Sequence, residues 1–155
     1  HGIGKLIRMP SGIPSKVNRW AYYADRPFKF GWIAHDMPDS EYKKLPVLWR
    51  VNGGRTNNLS LPALIEWPVT LGESGLVHIA YLSSYTHEWG SVDVSLVGQE
   101  GTHLLGSINS RDPKSKTSTT RDAVFKTSNA GAGNFSLRLT RRTGSKFKCL
   151  AFATC

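Results

Sequence analysis

The chain lacks any apolar run of about 18 residues, the least that a membrane-spanning helix needs. It has no signal-peptide pattern. It starts abruptly at His1, as expected of a mature end after processing or of a cloning remnant. Cysteine occurs only at Cys149 and Cys155, both inside KFKCLAFATC, and their spacing offers no zinc site. If that segment is one strand, the two lie about 20 Å apart at roughly 3.3 Å per residue. A disulfide needs Cα atoms about 4.4–6.8 Å apart. An internal bridge would require the chain to reverse between them; in one continuous strand the pair is unbonded, as two buried thiols or with Cys155 linked to another chain. There is no internal repeat, no Gly-Asp-Ser segment and no nucleophile elbow. Asp36, Asp39 and Glu41 crowd one loop without a distant partner, which argues against a glycosidase pair.

Acidic residues also stop early. None follows Asp122, whereas Lys126, Arg138, Arg141, Arg142, Lys146 and Lys148 do, and the formal net charge is +9. Such a surface attracts polyanions. No nucleic-acid-binding motif accompanies it, so an acidic glycan is a better expected partner than DNA or RNA.

What is present is a β-protein's composition. Hydrophobic residues make up 39% of 155, with 5 Trp, 5 Tyr and 6 Phe, enough for one real core. The clearest pattern is GLVHIAYLSSYTHEWGSVDVSLV over 75–97. Val77, Ile79 and Tyr81 alternate with His78, Ala80 and Leu82. Beyond a polar turn, Val92, Val94 and Leu96 alternate with Ser91, Asp93 and Ser95. A period of two marks strands that bury one face. NFSLRLTRR repeats it with Leu137 and Leu139, and KFKCLAFAT reads as a terminal strand. Val47, Trp49 and Val51 share one strand face. The aromatics Trp20, Tyr22, Tyr23, Phe28, Phe30 and Trp32 are most simply core. DMPDSEYKK suggests one helical turn with Pro38 near its start. SLPALIEWPVTL reads as a broken strand, because Pro62 and Pro68 forbid a central ladder position. Residues 98–122 read as a polar connection with one strand at His103–Ile108. These signals predict an all-β fold: a single antiparallel β-sandwich, jelly-roll-like, over residues 20–155, preceded by an extended arm over 1–19.

Candidate site residues are sparse. Tyr85, His87, Glu88 and Trp89 form an exposed turn that suits a sugar, since aromatics stack on sugar rings and carboxylates accept from hydroxyls. A solvated turn capped by a packing Trp89 is the plainer alternative. Asn58-Leu59-Ser60 and Asn134-Phe135-Ser136 are N-glycosylation sequons. His1 offers an α-amine and a ring nitrogen to one metal ion. With a second histidine this makes a copper-binding brace, and such ligands suit copper(II). The second ligand would come from His35, His78, His87 or His103, with Tyr81 or Tyr85 axial. His78 otherwise reads as a structural histidine.

Three short motifs carry a resemblance: Phe30-Gly31-Trp32-Ile33; Ala80-Tyr81-Leu82-Ser83-Ser84-Tyr85 followed by Gly90; and Lys146-Phe147-Lys148 before the terminal strand. Their order over 28–155 resembles the β-rich module beside the hydrolase domain in plant and green-algal cell-surface proteins of the SGNH (GDSL-type) esterase-like class. The hydrolase is absent here, so esterase activity does not carry over. The resemblance implies a secreted or wall-associated sandwich that binds glycans or proteins. The N-terminal His-Gly is similar to the start of lytic polysaccharide monooxygenases, whose further patterns are missing.

The sequence thus predicts a non-catalytic extracellular or cell-wall β-sandwich that binds carbohydrate, assembles with itself, or both. Self-association would run through residues 1–9, whose Ile3, Leu6 and Ile7 can add a strand to a neighbour's sheet edge. A copper-dependent polysaccharide oxidase using His1 is the alternative. A basic module for acidic polymers is the third reading.

Overall fold

The structure, a computed structural model, describes residues 12–45, 55–127 and 130–155. Its strands are β1 (Lys16–Asn18), β2 (Trp20–Ala24), β3 (Phe30–Ala34), β4 (Arg55–Thr56), β5 (Leu64–Leu71), β6 (Leu76–Ser83), β7 (Ser91–Gly98), β8 (Gly101–Asn109), β9 (Thr119–Lys126), β10 (Gly133–Arg141) and β11 (Phe147–Thr154). They form two sheets, ordered β4-β1-β5-β10-β7-β8 and β2-β3-β11-β6-β9. Among the described residues, every pairing between these strands is antiparallel except the short β1–β4 contact. From β5 onward the chain changes sheet at every connection but the β7–β8 hairpin. This is the antiparallel β-sandwich that the sequence periodicity predicts.

The core lies between the sheets. Val77, Ile79, Tyr81, Val92, Val94, Leu96, Leu137 and Leu139, the residues assigned inward by their alternation, are all buried. Trp67 of one sheet meets Trp32 of the other edge-on, with ring centroids 6.1 Å apart, and packs on Phe152 at 5.0 Å. The single helical turn α1 (Asp39–Tyr42) follows Pro38 as expected and buries Tyr42. Among the described residues, no helix is long and apolar enough to cross a membrane.

Three sequence expectations need correction. Pro68 does not break β5, which pairs with β10 from Leu64 to Leu71. The reason is local. β1 covers only Leu64–Glu66 on the other side, and the Glu66 carbonyl faces that side, accepting from the Ser15 amide at 2.8 Å. Pro68, two residues on, points its donorless nitrogen the same way, past the end of β1. It therefore occupies an edge position inside an otherwise central strand.

Residues 98–122 are not mainly a connection. β8 begins at Gly101, and β9 begins at Thr119 and pairs with all of β6. Both are the last strands of their sheets. An edge strand with one solvated face tolerates polar residues, so the alternation fades.

Phe28 is not core. It is 95% exposed, at φ +63°, in the turn between β2 and β3. Its neighbours Trp20, Tyr22 and Trp32 are buried as expected. The strand over Val47, Trp49 and Val51, and the arm over 1–9, lie outside the described residues. Within the expected arm, Lys16–Asn18 already pair with β5 as β1.

Cys149 and Cys155 are both free. β11 runs on between them, shifted by a bulge between Cys149 and Ala151. Cys149 is buried and Cys155 exposed.

Candidate functional site

By register, the C-terminal end of β6, the start of β9 and the start of β11 lie at one end of their sheet. The β2–β3 turn reaches this end through one lysine. Trp32 and Cys149 face inward, so Gly31, Ile33 and Lys148 belong to the outer face. Lys148 pairs with Ile33 and sends its stem across β3 at Gly31. A Cβ at Gly31 would stand 2.8 Å from Lys148 Cε and 3.1 Å from the Cys149 carbonyl. Glycine is what leaves the passage open. Lys148 Nζ then donates to Asp25 Oδ1 at 2.7 Å and to the Lys29 carbonyl at 2.6 Å.

Lys146, two residues earlier on the same face, donates to Asp25 Oδ2 at 3.0 Å. Its ammonium also sits 4.9 Å from the centre of the Trp89 ring. Asp25 is thus gripped at both oxygens. Burial pushes its carboxyl up, but the hydrogen bonds from Lys148 and Lys146 outweigh this and hold it below its ordinary value. Burial, and then the Asp25 charge, push the nearby Tyr23 hydroxyl up to about 12.

The opposite wall is the loop Ser84–Trp89. Ser84 anchors the 110–118 connection at both ends. Its amide donates to the Ser110 carbonyl at 2.9 Å, its carbonyl accepts from the Asp112 amide at 2.8 Å, and its hydroxyl pairs with that of Ser118 at 2.8 Å. The Glu88 carbonyl accepts from the amides of Ser145 and Lys146 at 3.0 and 2.9 Å. Gly90 lies so close to Thr143 that any side chain there would collide with the Thr143 carbonyl. The Glu88 side chain is held below the usual carboxylate range, first by its own backbone amide and next by the Thr86 hydroxyl.

Together these elements line an open hollow of about 140 Å³, bounded by Asp25, Arg26, Lys29, Tyr85, Glu88 and Lys146 among others. That is far below the roughly 300–1,000 Å³ of a site that engulfs a ligand. It suits one sugar ring or one substituent of a longer chain.

Of the four residues assigned to a sugar site from the sequence, Tyr85 and Glu88 line the hollow, Tyr85 being 41% exposed. Trp89 lines it as a buried floor beneath Lys146, so its ring offers no open stacking face. His87 projects into solvent, its side chain 92% exposed and its Nδ1 3.9 Å from Glu88. Asp25, Arg26, Lys29, Ser84 and Ser118 were missed. A signal existed for Asp25 and its lysines: Tyr23 and Asp25, and Lys146 and Lys148, occupy alternate positions beside inward-facing aromatics.

Of the histidines named for a copper brace, four lie among the described residues. His1 lies outside the described residues. His78 sits on the outer face of β6 beside Ala80, Asp122 and Ala153, about 20 Å along the chain from Ser84. His103 is on β8, and His35 is buried, accepting from the Met37 amide at 3.1 Å. Among the described residues, no group of three or more His, Cys, Asp or Glu side chains could hold a metal ion. Asp36 pairs with Arg19 and Arg141, and Asp39 accepts from Asn57 at 2.8 Å, so neither faces a catalytic partner. Both sequon asparagines are exposed. Asn58 accepts from Ser60 within its own turn at 2.6 Å, and Asn134 stands second in β10.

No protein-family model matches the chain, and no curated protein is similar to it in sequence. The C-terminal family 6 carbohydrate-binding module of LamC, a marine laminarinase from Zobellia galactanivorans, superposes with a TM-score of 0.50 at 14% identity, covering 88% of this chain and 92% of that one. A second family 6 module, from Cellvibrio mixtus lichenase 5A in complex with cellotriose, gives 0.46 at 14% identity, covering 94% and 92%. A family 35 carbohydrate-binding module from Clostridium thermocellum gives 0.47 at 11% identity, covering 90% and 92%.

Proposed function

We propose that this chain is a non-catalytic carbohydrate-binding module of an extracellular, cell-wall or cell-surface protein. The observation that carries the reading is the hollow itself, which brings the partly exposed Tyr85 ring together with two carboxylates, Asp25 and Glu88. Carboxylates accept from sugar hydroxyls, and an aromatic ring supplies an apolar face. Asp25 is already held by Lys146 and Lys148, which limits the entropic cost of ordering it on binding. The fold shared with the laminarinase's binding module supports the same reading.

The electrostatics support binding over hydrolysis. A glycosidase keeps one of its two carboxyl groups protonated near neutral pH, with a raised pKa, to serve as the acid. Here both are held down, Asp25 by two lysines and Glu88 by hydrogen bonds to its ionised form. The two exposed sequons support a secretory setting. Descent from the SGNH-associated accessory modules is part of the same proposal, resting on the Ala80–Tyr85 and Lys146–Lys148 motifs.

Calorimetric titration against a panel of plant, algal and fungal wall oligosaccharides tests this. At least one should bind, with Tyr85→Ala and Glu88→Gln each weakening it about tenfold or more, or about 1.4 kcal/mol. The ligand should remain intact by chromatography. Release of shorter products, or binding indifferent to both substitutions, would overturn the reading.

A further inference from the structure

The hollow carries more positive charge than its carboxylates engage. Lys146 and Lys148 are committed to Asp25. Arg26 and Lys29 also line the hollow, yet among the described residues neither makes an ion pair. The 110–118 connection, tied to Ser84 and bringing Ser118 into the lining, adds Arg111, Lys114 and Lys116, likewise without ion pairs. Its one acidic residue, Asp112, is taken by Arg121 at 2.9 Å.

A second observation points to the same turn. Arg26-Pro27-Phe28-Lys29 closes with a bond from the Lys29 amide to the Arg26 carbonyl at 3.0 Å. Phe28 holds the third position at φ +63°, where turns with proline at the second position call for glycine or asparagine. A bulky residue rarely adopts that conformation. Its ring, 95% exposed, packs on nothing that stabilises the sandwich. A strained position that contributes no packing is a reason to look for a ligand. In the chain this exposed ring stands between Arg26 and Lys29, both of which line the hollow.

We infer that this turn is the second wall of the glycan site and that the ligand is an anionic polysaccharide bearing carboxylate or sulfate groups. Phe28 packs on the face of a sugar ring, while Arg26 and Lys29 take the charged substituent. Arg26 suits this role because its planar fork matches a carboxylate or sulfate with paired hydrogen bonds. The inference rests on the glycan reading of the hollow and narrows it.

The test is titration of the full chain with four probes: oligogalacturonate, a sulfated galactan oligosaccharide, a neutral cello-oligosaccharide and single-stranded oligothymidylate. One of the two acidic sugars should bind at least about tenfold tighter than the neutral one, and the difference should shrink as salt rises. Which of the two binds separates uronate from sulfate recognition. The double variant Arg26→Gln/Lys29→Gln should abolish the acidic preference. Phe28→Gly should weaken sugar binding about tenfold while leaving the thermal midpoint unchanged or higher, because glycine relieves the strained φ.

Equal affinity for neutral and acidic sugars, still lost in Tyr85→Ala, would overturn this inference and leave the glycan reading standing. Oligothymidylate bound as tightly as the sugars, with Phe28→Gly without effect, would mark a general polyanion surface and overturn it as well. Binding of no sugar would overturn both.

Discussion

Lys148 and Asp25, 123 positions apart in the chain, meet through a 2.7 Å ion pair in which the lysine side chain is 2% exposed and the aspartate 12%. That contact ties the β2–β3 turn to β11 at Asp25, with a second bond from Lys148 to the Lys29 carbonyl. Breaking a buried pair from one side strands the other charge. Asp25→Leu leaves Lys148 buried without a counter-ion and should cost about 3–5 kcal/mol. Lys148→Met should cost less, since Asp25 keeps Lys146. Urea unfolding of the two variants checks the order, and a reversed order would contradict the geometry.

The passage of the Lys148 stem over Gly31 gives a second expectation. Gly31→Ala places a methyl against Lys148 Cε and the Cys149 carbonyl. Overpacking of this kind costs about 1–3 kcal/mol. The same variant should also weaken glycan binding, because the turn it displaces carries one wall of the hollow.

A third expectation concerns pH. The Asp25 carboxyl lies below its ordinary value when folded, through the two lysines and despite its burial. Its contribution to stability is therefore complete above the unfolded value of about 3.9. It is lost as pH falls through the lower folded value. Stability from this group should be flat between pH 7 and 5 and decline below about pH 4, and Asp25→Asn should remove that acid limb. Glycan affinity should likewise be level from pH 8 to 5, since Glu88 is also held down. A bell-shaped profile centred near pH 6 would indicate a carboxyl acid the structure does not supply.

The thiols provide a fourth. Burial pushes the Cys149 thiol up to about 12, while Cys155 is exposed. The thiolate is the reactive form. Ellman's reagent should therefore label one thiol per native chain, at Cys155, and the second only in denaturant. Peptide mapping identifies the site.

The core of the sandwich was legible because β6, β7 and β10 bury one clean face each, and alternation reports that directly. β9 was half hidden, since an edge strand exposing Thr119–Asp122 shows no alternation. Pro68 misled because the sequence does not reveal how short its neighbour β1 is. The site was legible only where it coincides with the Tyr85–Trp89 turn. Asp25, Lys146 and Lys148 look like ordinary outer-face charges until strand order brings them together, and strand order is a long-range property. Phe28 looked like core because composition ranks a phenylalanine inward whatever its φ. The self-association expected of residues 1–9, and the role of His1, lie outside the described residues.

Sugar binding in the hollow between the β2–β3 turn and the Ser84–Trp89 loop is tested by backbone amide chemical shifts recorded during titration with the tightest-binding oligosaccharide. The largest changes should fall on Asp25–Lys29, Ser84–Trp89 and Lys146. Changes centred instead on the outer face at His78, Asp122 and Ala153, with those three segments unmoved, would contradict it.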